Sequence, residues 1–218
     1  MPVKDWMSKD LVTIDADTSI MKASRVMKQN EIQHLPVLNK GRLAGIVSDR
    51  DLKEATPSKA TTLDIHEMYH LLDTITVKSL MSKRLFTITP GETVEKAAAV
   101  MLKHHISALP VVDAQGTLAG IITKGDIFRA FVSVSGIQQA ELAMGFELAD
   151  RPGAIKGVTD VIRAHGGRIA SIFTAYEGAP EGFGLVFIRA KDIKDEQTLL
   201  QELEAKSTVL YFIHEKVD

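Results

Sequence analysis

Leu43-Ala44-Gly45-Ile46-Val47-Ser48-Asp49-Arg50-Asp51 and Leu118-Ala119-Gly120-Ile121-Ile122-Thr123-Lys124-Gly125-Asp126 decide the fold. Each is a β-rich apolar run that ends in Ser/Thr-x-x-Asp. Working outward, the two neighbourhoods match. Pro36-Val37 recurs as Pro110-Val111, and Met7-Ser8-Lys9 recurs as Met81-Ser82-Lys83, each 74 residues on (81 − 7). The Leu-Ala-Gly-Ile runs lie 75 apart (118 − 43), so one residue enters in between. It falls in the turn, Asn39-Lys40-Gly41 in one copy and Asp113-Ala114-Gln115-Gly116 in the other. Turns tolerate a change of length and strands do not, so the chain carries one unit twice.

The unit reads β-α-β-β-α. Short strands are predicted at Leu11 to Ile14 and Leu85 to Ile88. Asp17-Thr18-Ser19 and Pro90-Gly91-Glu92-Thr93 supply helix N-caps. The helices that follow carry Ile20, Ala23, Val26 and Met27, or Val94, Ala97, Ala98 and Met101, at helical spacing. His34 to Leu38 and Ala108 to Val112 are strands. Each pairs through a Gly-containing turn with Leu43 to Val47 or Leu118 to Ile122. Short helices close the copies, Asp51 to Ala55 and Asp126 to Val134. About 50 residues bury too little surface to be stable alone. Two copies packed as a pseudo-two-fold pair solve that problem.

Bulk properties narrow the class. The 218 residues are 45% hydrophobic and 25% charged, with a net charge of -2. No global field draws the chain to nucleic acid or membrane. There is no cysteine, which removes disulfides, thiolate metal sites and cysteine nucleophiles. MPVKDWMSKD lacks an apolar signal core, and no apolar run reaches the roughly 18 to 20 residues of a membrane span. The expectation is a soluble cytoplasmic protein.

The pattern M-S-x-x-h-x-T-I, h-x-h-L-P-V, L-A-G-I-h-[ST]-x-x-D resembles the CBS motif, named for cystathionine β-synthase. A tandem pair resembles a Bateman module, a sensor of AMP, ADP, ATP, S-adenosylmethionine or dinucleotides in two clefts. The residues suggest the same chemistry. Asp51 and Asp126 begin helices after strands and can accept hydrogen bonds from the two hydroxyls of a ribose. Ser48 and Thr123 offer hydroxyls to a phosphate, and Arg50 and Lys124 offer cations. The resemblance implies that Ser48 and Asp51 face Ile106, Ser107 and Ala108 across one cleft. Thr123 and Asp126 then face Ile32, Gln33 and His34 across the other. Val12 and Phe86 line the base pockets. His34 reaches toward a phosphate where the matching Ala108 does not, so the clefts need not be equivalent. The plainer alternative is that each Asp simply caps its helix.

His66-Glu67-Met68-Tyr69-His70, between the copies, matches the zinc-hydrolase pattern H-E-x-x-H. No H-E-x-x-H-x-x-G-x-x-H extension follows, and the segment is expected to be a linker helix. A zinc-dependent hydrolase and a non-binding scaffold stand as alternatives to a sensor. His104 and His105 are read as caps of helix carbonyls.

From about residue 138 the order becomes β-α-β-β-α-β, which is ferredoxin-like. Strands are predicted at Ala140 to Leu148, Arg168 to Tyr176, Gly184 to Ala190 and Thr208 to His214. Gly166-Gly167 ends the first helix, and the second runs from Asp195 to Lys206. Asp150-Arg151-Pro152-Gly153 before an apolar helix resembles the ACT domain. That resemblance implies edge-to-edge homodimerisation and an amino-acid site at Ala149, Asp150, Arg151, Pro152, Gly153, Ala154 and Ile155. The alternative is that Asp150 caps the helix.

The expected fold class is therefore α+β. The tandem CBS pair occupies 1–135, with repeats at about 5–55 and 79–134 joined by a linker helix at 56–78. An ACT domain follows at 138–218. The whole is similar to AcuB-type acetoin utilisation proteins. It is expected to be a regulatory sensor of a small-molecule effector and not an enzyme. It needs no metal or cofactor, forms a homodimer, acts on a regulated protein, and has no nucleic-acid or membrane partner.

Overall fold

The computed structural model describes residues 1–55 and 72–216. The chain divides into two compact units, Met1–Ile127 and Phe128–Asp218. The first unit contains β1 (Ile14–Asp15), α1 (Ile20–Gln29), β2 (His34–Asn39), β3 (Arg42–Ser48) and α2 (Asp49–Glu54), then α3 (Val77–Leu80), α4 (Val94–His104), β4 (Ala108–Val112) and β5 (Leu118–Thr123). Helix α5 (Lys124–Ser135) begins there and runs into the second unit.

The copies fold alike. Ser19 Oγ accepts from Lys22 N–H at the start of α1, and Thr93 Oγ1 accepts from Lys96 N–H at the start of α4. Both helices bury the same positions: Ile20, Ala23 and Met27 in α1, Val94, Ala97 and Met101 in α4. Strand β2 pairs antiparallel with β3 with Pro36 opposite Ile46, and β4 pairs with β5 with Pro110 opposite Ile121. A bulge interrupts both hairpins at the same place, after Val37 and after Val111.

The first strand of each repeat is shorter than the sequence predicts. Leu11 to Ile14 reduces to Ile14–Asp15 beside β2, and Leu85 to Ile88 reduces to a single parallel bridge from Ile88 to Val111. Only the buried isoleucine at the end of each run meets the hairpin. Val12 and Phe86, two residues earlier, stay half-exposed and line hollows instead.

Each copy is completed by the segment that precedes the other. Ser8 and Ile121 exchange backbone hydrogen bonds of 2.9 and 3.1 Å, and Ser82 and Ile46 exchange bonds of 2.9 and 3.2 Å. Farther out, Val94 N–H donates to Met1 O, and Ile20 N–H donates to Ile75 O. The side chains at these crossings explain the paired glycines. A Cβ on Gly45 would stand 2.5 Å from Met81 Sδ, and one on Gly120 would stand 2.6 Å from Met7 Sδ and 3.0 Å from Ser8 O. Met-Ser in one copy and Gly-Ile in the other are thus two halves of one joint.

The second unit contains β6 (Leu142–Ala149), α6 (Ala154–Ala164), β7 (Arg168–Ala175), β8 (Phe183–Lys191), α7 (Glu196–Lys206) and β9 (Thr208–His214). Its sheet order is β7-β8-β6-β9, with every neighbour antiparallel, which is the ferredoxin-like arrangement. Alternate residues of β6, namely Leu142, Met144, Phe146 and Leu148, pack on Val158, Val161 and Ile162 of α6 and on Leu199 and Leu203 of α7. Asp195 caps α7 by accepting from Thr198 N–H. Asp150 does not cap α6. The N-cap is Gly153 at φ +87°, with no side-chain bond, so the turn rests on glycine's access to left-handed backbone.

The joint predicts an epistatic pair. Gly120→Val should destabilise the chain by about 1–3 kcal/mol through overpacking against Met7 and Ser8. Adding Met7→Ala should restore part of that loss in denaturant unfolding. Strictly additive single and double variants would show that the two side chains do not meet.

Candidate functional site: two clefts between the repeats

The Ser/Thr-x-x-Asp segments form the same local device twice. Ser48 donates from both its backbone N–H and its Oγ to Asp51 Oδ2, at 2.7 Å each, and Asp51 N–H donates back to Ser48 Oγ. Thr123 and Asp126 repeat this at 2.7 and 2.8 Å, with Asp126 N–H returning to Thr123 Oγ1. This is a capping box in which Ser48 is the N-cap and Asp51 sits at the third helical position. Capping and a site role therefore do not exclude each other, because the cap uses Oδ2. One expectation changes. The Ser48 and Thr123 hydroxyl protons are directed at their own aspartates, so they are not offered to a phosphate in this arrangement.

Each capping box opens on a cleft whose far wall belongs to the other repeat. The first cleft, about 540 Å³, places Ser48, Arg50 and Asp51 opposite Ile106, Ser107 and Ala108, with Phe86 alongside. The second, about 480 Å³, places Thr123, Lys124 and Asp126 opposite Ile32, Gln33 and His34, with Val12 alongside. All the residues expected to share a cleft do lie together. Asp126 is buried, whereas Asp51 is half-buried. Arg50 lies on the rim of the first cleft and pairs with Glu54 at 2.8 Å, one turn along α2.

Two contacts were not legible beforehand. His34 Nε2 lies 2.8 Å from Ser107 Oγ, and both residues line both clefts. Burial holds the His34 imidazole below its ordinary pKa, and the nearby Asp51 carboxylate opposes this only in part. The second contact is the His104 ring, which stacks on Phe86 at 3.7 Å between centroids rather than capping carbonyls. His105 instead forms the helix C-cap, in left-handed backbone. The clefts also include Arg84, His105, Asp10 and Glu31, which the signature-based reading did not single out. Comparing the copies position by position shows them as differences in charge but does not place them in the clefts.

In the second unit the segment Ala149 to Ile155 lines two hollows that share Ala149, Arg151 and Ala154. Ala149, Arg151, Pro152, Gly153 and Ala154 line one of about 620 Å³, together with Glu204 and Lys206. Asp150 and Ile155 line a smaller one of about 60 Å³. His66, Glu67 and His70 lie outside the described residues. No helix among the described residues is long and apolar enough to cross a membrane.

The family model of the CBS domain matches residues 3–58 and 77–133, and the chain belongs to the CBS-domain family as a tandem pair. The CBS domain pair of protein MJ0100, solved in complex with 5′-methylthioadenosine and S-adenosyl-L-methionine, is 31% identical. It aligns with 61% of this chain and 96% of its own at a TM-score of 0.51. CBSX2, solved in complex with AMP, is 30% identical, covering 62% of this chain and 98% of its own at a TM-score of 0.50. A candidate acetoin utilization protein (AcuB) from Vibrio cholerae is 27% identical, covering 63% and 94% at a TM-score of 0.52. Enzymes match over a small part of their length. The homoserine O-acetyltransferase of Methanohalobium evestigatum is 35% identical over 128 residues, which is 58% of this chain and 23% of that protein.

The His34 environment predicts a pH effect. Its folded pKa lies below the ordinary 6.5, so the unfolded chain binds the proton more readily. The contribution to stability is fully present above pH 6.5 and declines as the pH falls through that value. Denaturant unfolding at pH 7.5 and 5.5 should show a drop for the parent chain that is smaller in His34→Gln. An equal drop in both would remove His34 as its source.

Proposed function

We propose that the chain is a regulatory sensor of adenine nucleotides, AMP, ADP, ATP or S-adenosylmethionine-like, and not an enzyme. The observation that carries this reading is the duplicated cleft. In each, a carboxylate oriented by a capping box faces apolar side chains and backbone of the other repeat. Asp51 and Asp126 use Oδ2 for the cap, and each carboxylate is the acceptor for the ribose hydroxyls in its cleft. Adenine lies against Ile106, Ala108 and Phe86 in the first cleft, and against Ile32 and Val12 in the second. Gln33, His34 and Ser107 supply polar contacts, and Lys124 and Arg50 supply charge. The adenosyl ligands and AMP of the related CBS pairs support this choice.

In this account the pair occupies 1–135, with repeats at about 5–55 and 79–134. Residues 138–218 are an ACT domain, as the order β-α-β-β-α-β supports. It pairs edge to edge with a second copy and takes an amino acid at Ala149 to Ile155. The protein acts in the cytoplasm, in the manner of AcuB-type proteins. It passes the occupancy of its clefts to a regulated partner through the geometry of the repeats.

A thermal-shift series with AMP, ADP, ATP and S-adenosylmethionine tests the reading. Ligand at 100 times Kd stabilises by about 2.7 kcal/mol. That corresponds to several degrees, at roughly 2–4 °C per kcal/mol for a chain of this size. Asp51→Ala and Asp126→Ala should each weaken one site by about ten- to hundred-fold, from loss of a charge-assisted contact. No shift with any of the four ligands would overturn the sensor reading.

A further inference from the structure

The pseudo-symmetric positions around the two clefts do not carry the same charge. Offset by 74 residues, Asp10 corresponds to Arg84 and Glu31 corresponds to His105. Asp10 and Glu31 line the second cleft, and Arg84 and His105 line the first. The correspondence is geometric as well as sequential. Glu31 and His105 both take left-handed backbone, at φ 54° and 53°, just past the C-termini of α1 and α4. The same rim is therefore acidic on one cleft and basic on the other.

Local pairing sharpens the difference. In the first cleft the carboxylate of Glu54 is held by Arg50 at 2.8 Å, and that of Asp49 by Lys53 at 2.6 Å. Arg84 makes no ion pair among the described residues; its guanidinium lies 5.3 Å from the Phe86 ring centroid. In the second cleft neither Asp10 nor Glu31 has an ion-pair partner among the described residues, and the cation lining that space is Lys124. A phosphate monoester carries close to two negative charges at neutral pH. Rim and ligand in a space of about 480 Å³ lie within a Debye length, about 8–10 Å at physiological salt. Two exposed carboxylates there disfavour a phosphate and favour a cation.

We propose that the two clefts take different classes of adenine ligand. The first, rimmed by Arg84 and His105, takes a nucleotide bearing a 5′-phosphate. The second, rimmed by Asp10 and Glu31, takes an adenine nucleoside whose 5′ substituent is neutral or cationic, such as a thioether or a sulfonium. This rests on the reading of both clefts as adenine sites. It adds which chemistry each accepts and which residues decide. The walls differ as well. Phe86 gives the first cleft an aromatic face where Val12 gives the second an aliphatic one.

Calorimetric titration of the full chain with AMP and with 5′-methylthioadenosine tests it. Asp126→Ala leaves the first cleft and should favour AMP. Asp51→Ala leaves the second and should favour 5′-methylthioadenosine. Each preference should be about tenfold. Adding Asp10→Arg and Glu31→His to Asp51→Ala should raise AMP affinity about tenfold, an effect that fades at high salt. Arg84→Asp in the otherwise unchanged chain should weaken AMP and leave 5′-methylthioadenosine unaffected; as an exposed side chain outside both capping boxes, it remains informative if an aspartate variant does not fold. The same order of preference in both clefts, or rim reversals without effect, would overturn the specialisation while leaving the sensor reading intact. Binding of neither ligand by the parent chain would also overturn the specialisation, and the four-ligand thermal-shift series decides the sensor reading separately.

Discussion

The structure of the first unit depends on one reciprocal joint. The Met-Ser segment ahead of each repeat crosses the glycine of the other repeat's second hairpin strand. Methionine Sδ lies where a Cβ would be, and the following serine pairs with the isoleucine next to that glycine. Each repeat therefore lacks part of its structure until the other is present. A unit of about 50 residues buries too little surface for comfort alone, and the exchange supplies what is missing. It also ties the hairpin of each repeat by backbone hydrogen bonds to the leading segment of the other. Without that, neither aspartate would face a wall of the other copy.

The clefts follow from this joint and from a local economy at the helix starts. One hydroxyl and one carboxylate satisfy the backbone donors where strand turns into helix, and the same carboxylate faces the cleft. Anchoring by two hydrogen bonds to one oxygen fixes its direction before any ligand arrives. The His34–Ser107 contact lies across the repeats and belongs to both clefts, so a ligand in either space meets a group shared with the other. The second unit stands on different principles. An alternating four-stranded sheet is covered on one face by two helices, and its leading turn is set by Gly153 rather than by a side-chain cap.

Much of this was legible in the sequence because it rests on spacing. The offsets of 74 and 75 located the hairpins, the helix caps at Ser19 and Thr93, and both Ser/Thr-x-x-Asp segments, although the reading made each Asp the cap and the structure gives that place to Ser48. The turn Asp150-Arg151-Pro152-Gly153 before an apolar helix and the glycines at 166 and 167 located the second unit. What escaped depends on contacts between residues far apart in the chain. Leu11 and Leu85 have strand-like neighbours, but neither joins a ladder among the described residues, so the predicted strands shrink to Ile14–Asp15 and to one bridge at Ile88. The His104 ring found Phe86, 18 residues earlier, and no local pattern signals that stack. Asp150 looks like a cap from its position before Pro152 and Gly153, yet the left-handed turn at Gly153 starts the helix without it. The charge reversal between Asp10 and Arg84 was visible in principle, but its meaning required knowing that both side chains line clefts.

The central claim is that each ligand site is built from both repeats at once. Hydrogen exchange of the full chain with and without AMP tests it directly. The account predicts slowed exchange in two separated segments together, around Ser48 to Asp51 of one repeat and Ile106 to Ala108 of the other. The sheet of the second unit should remain unchanged. Slowing confined to one repeat, or to the second unit, would contradict a site shared between the copies.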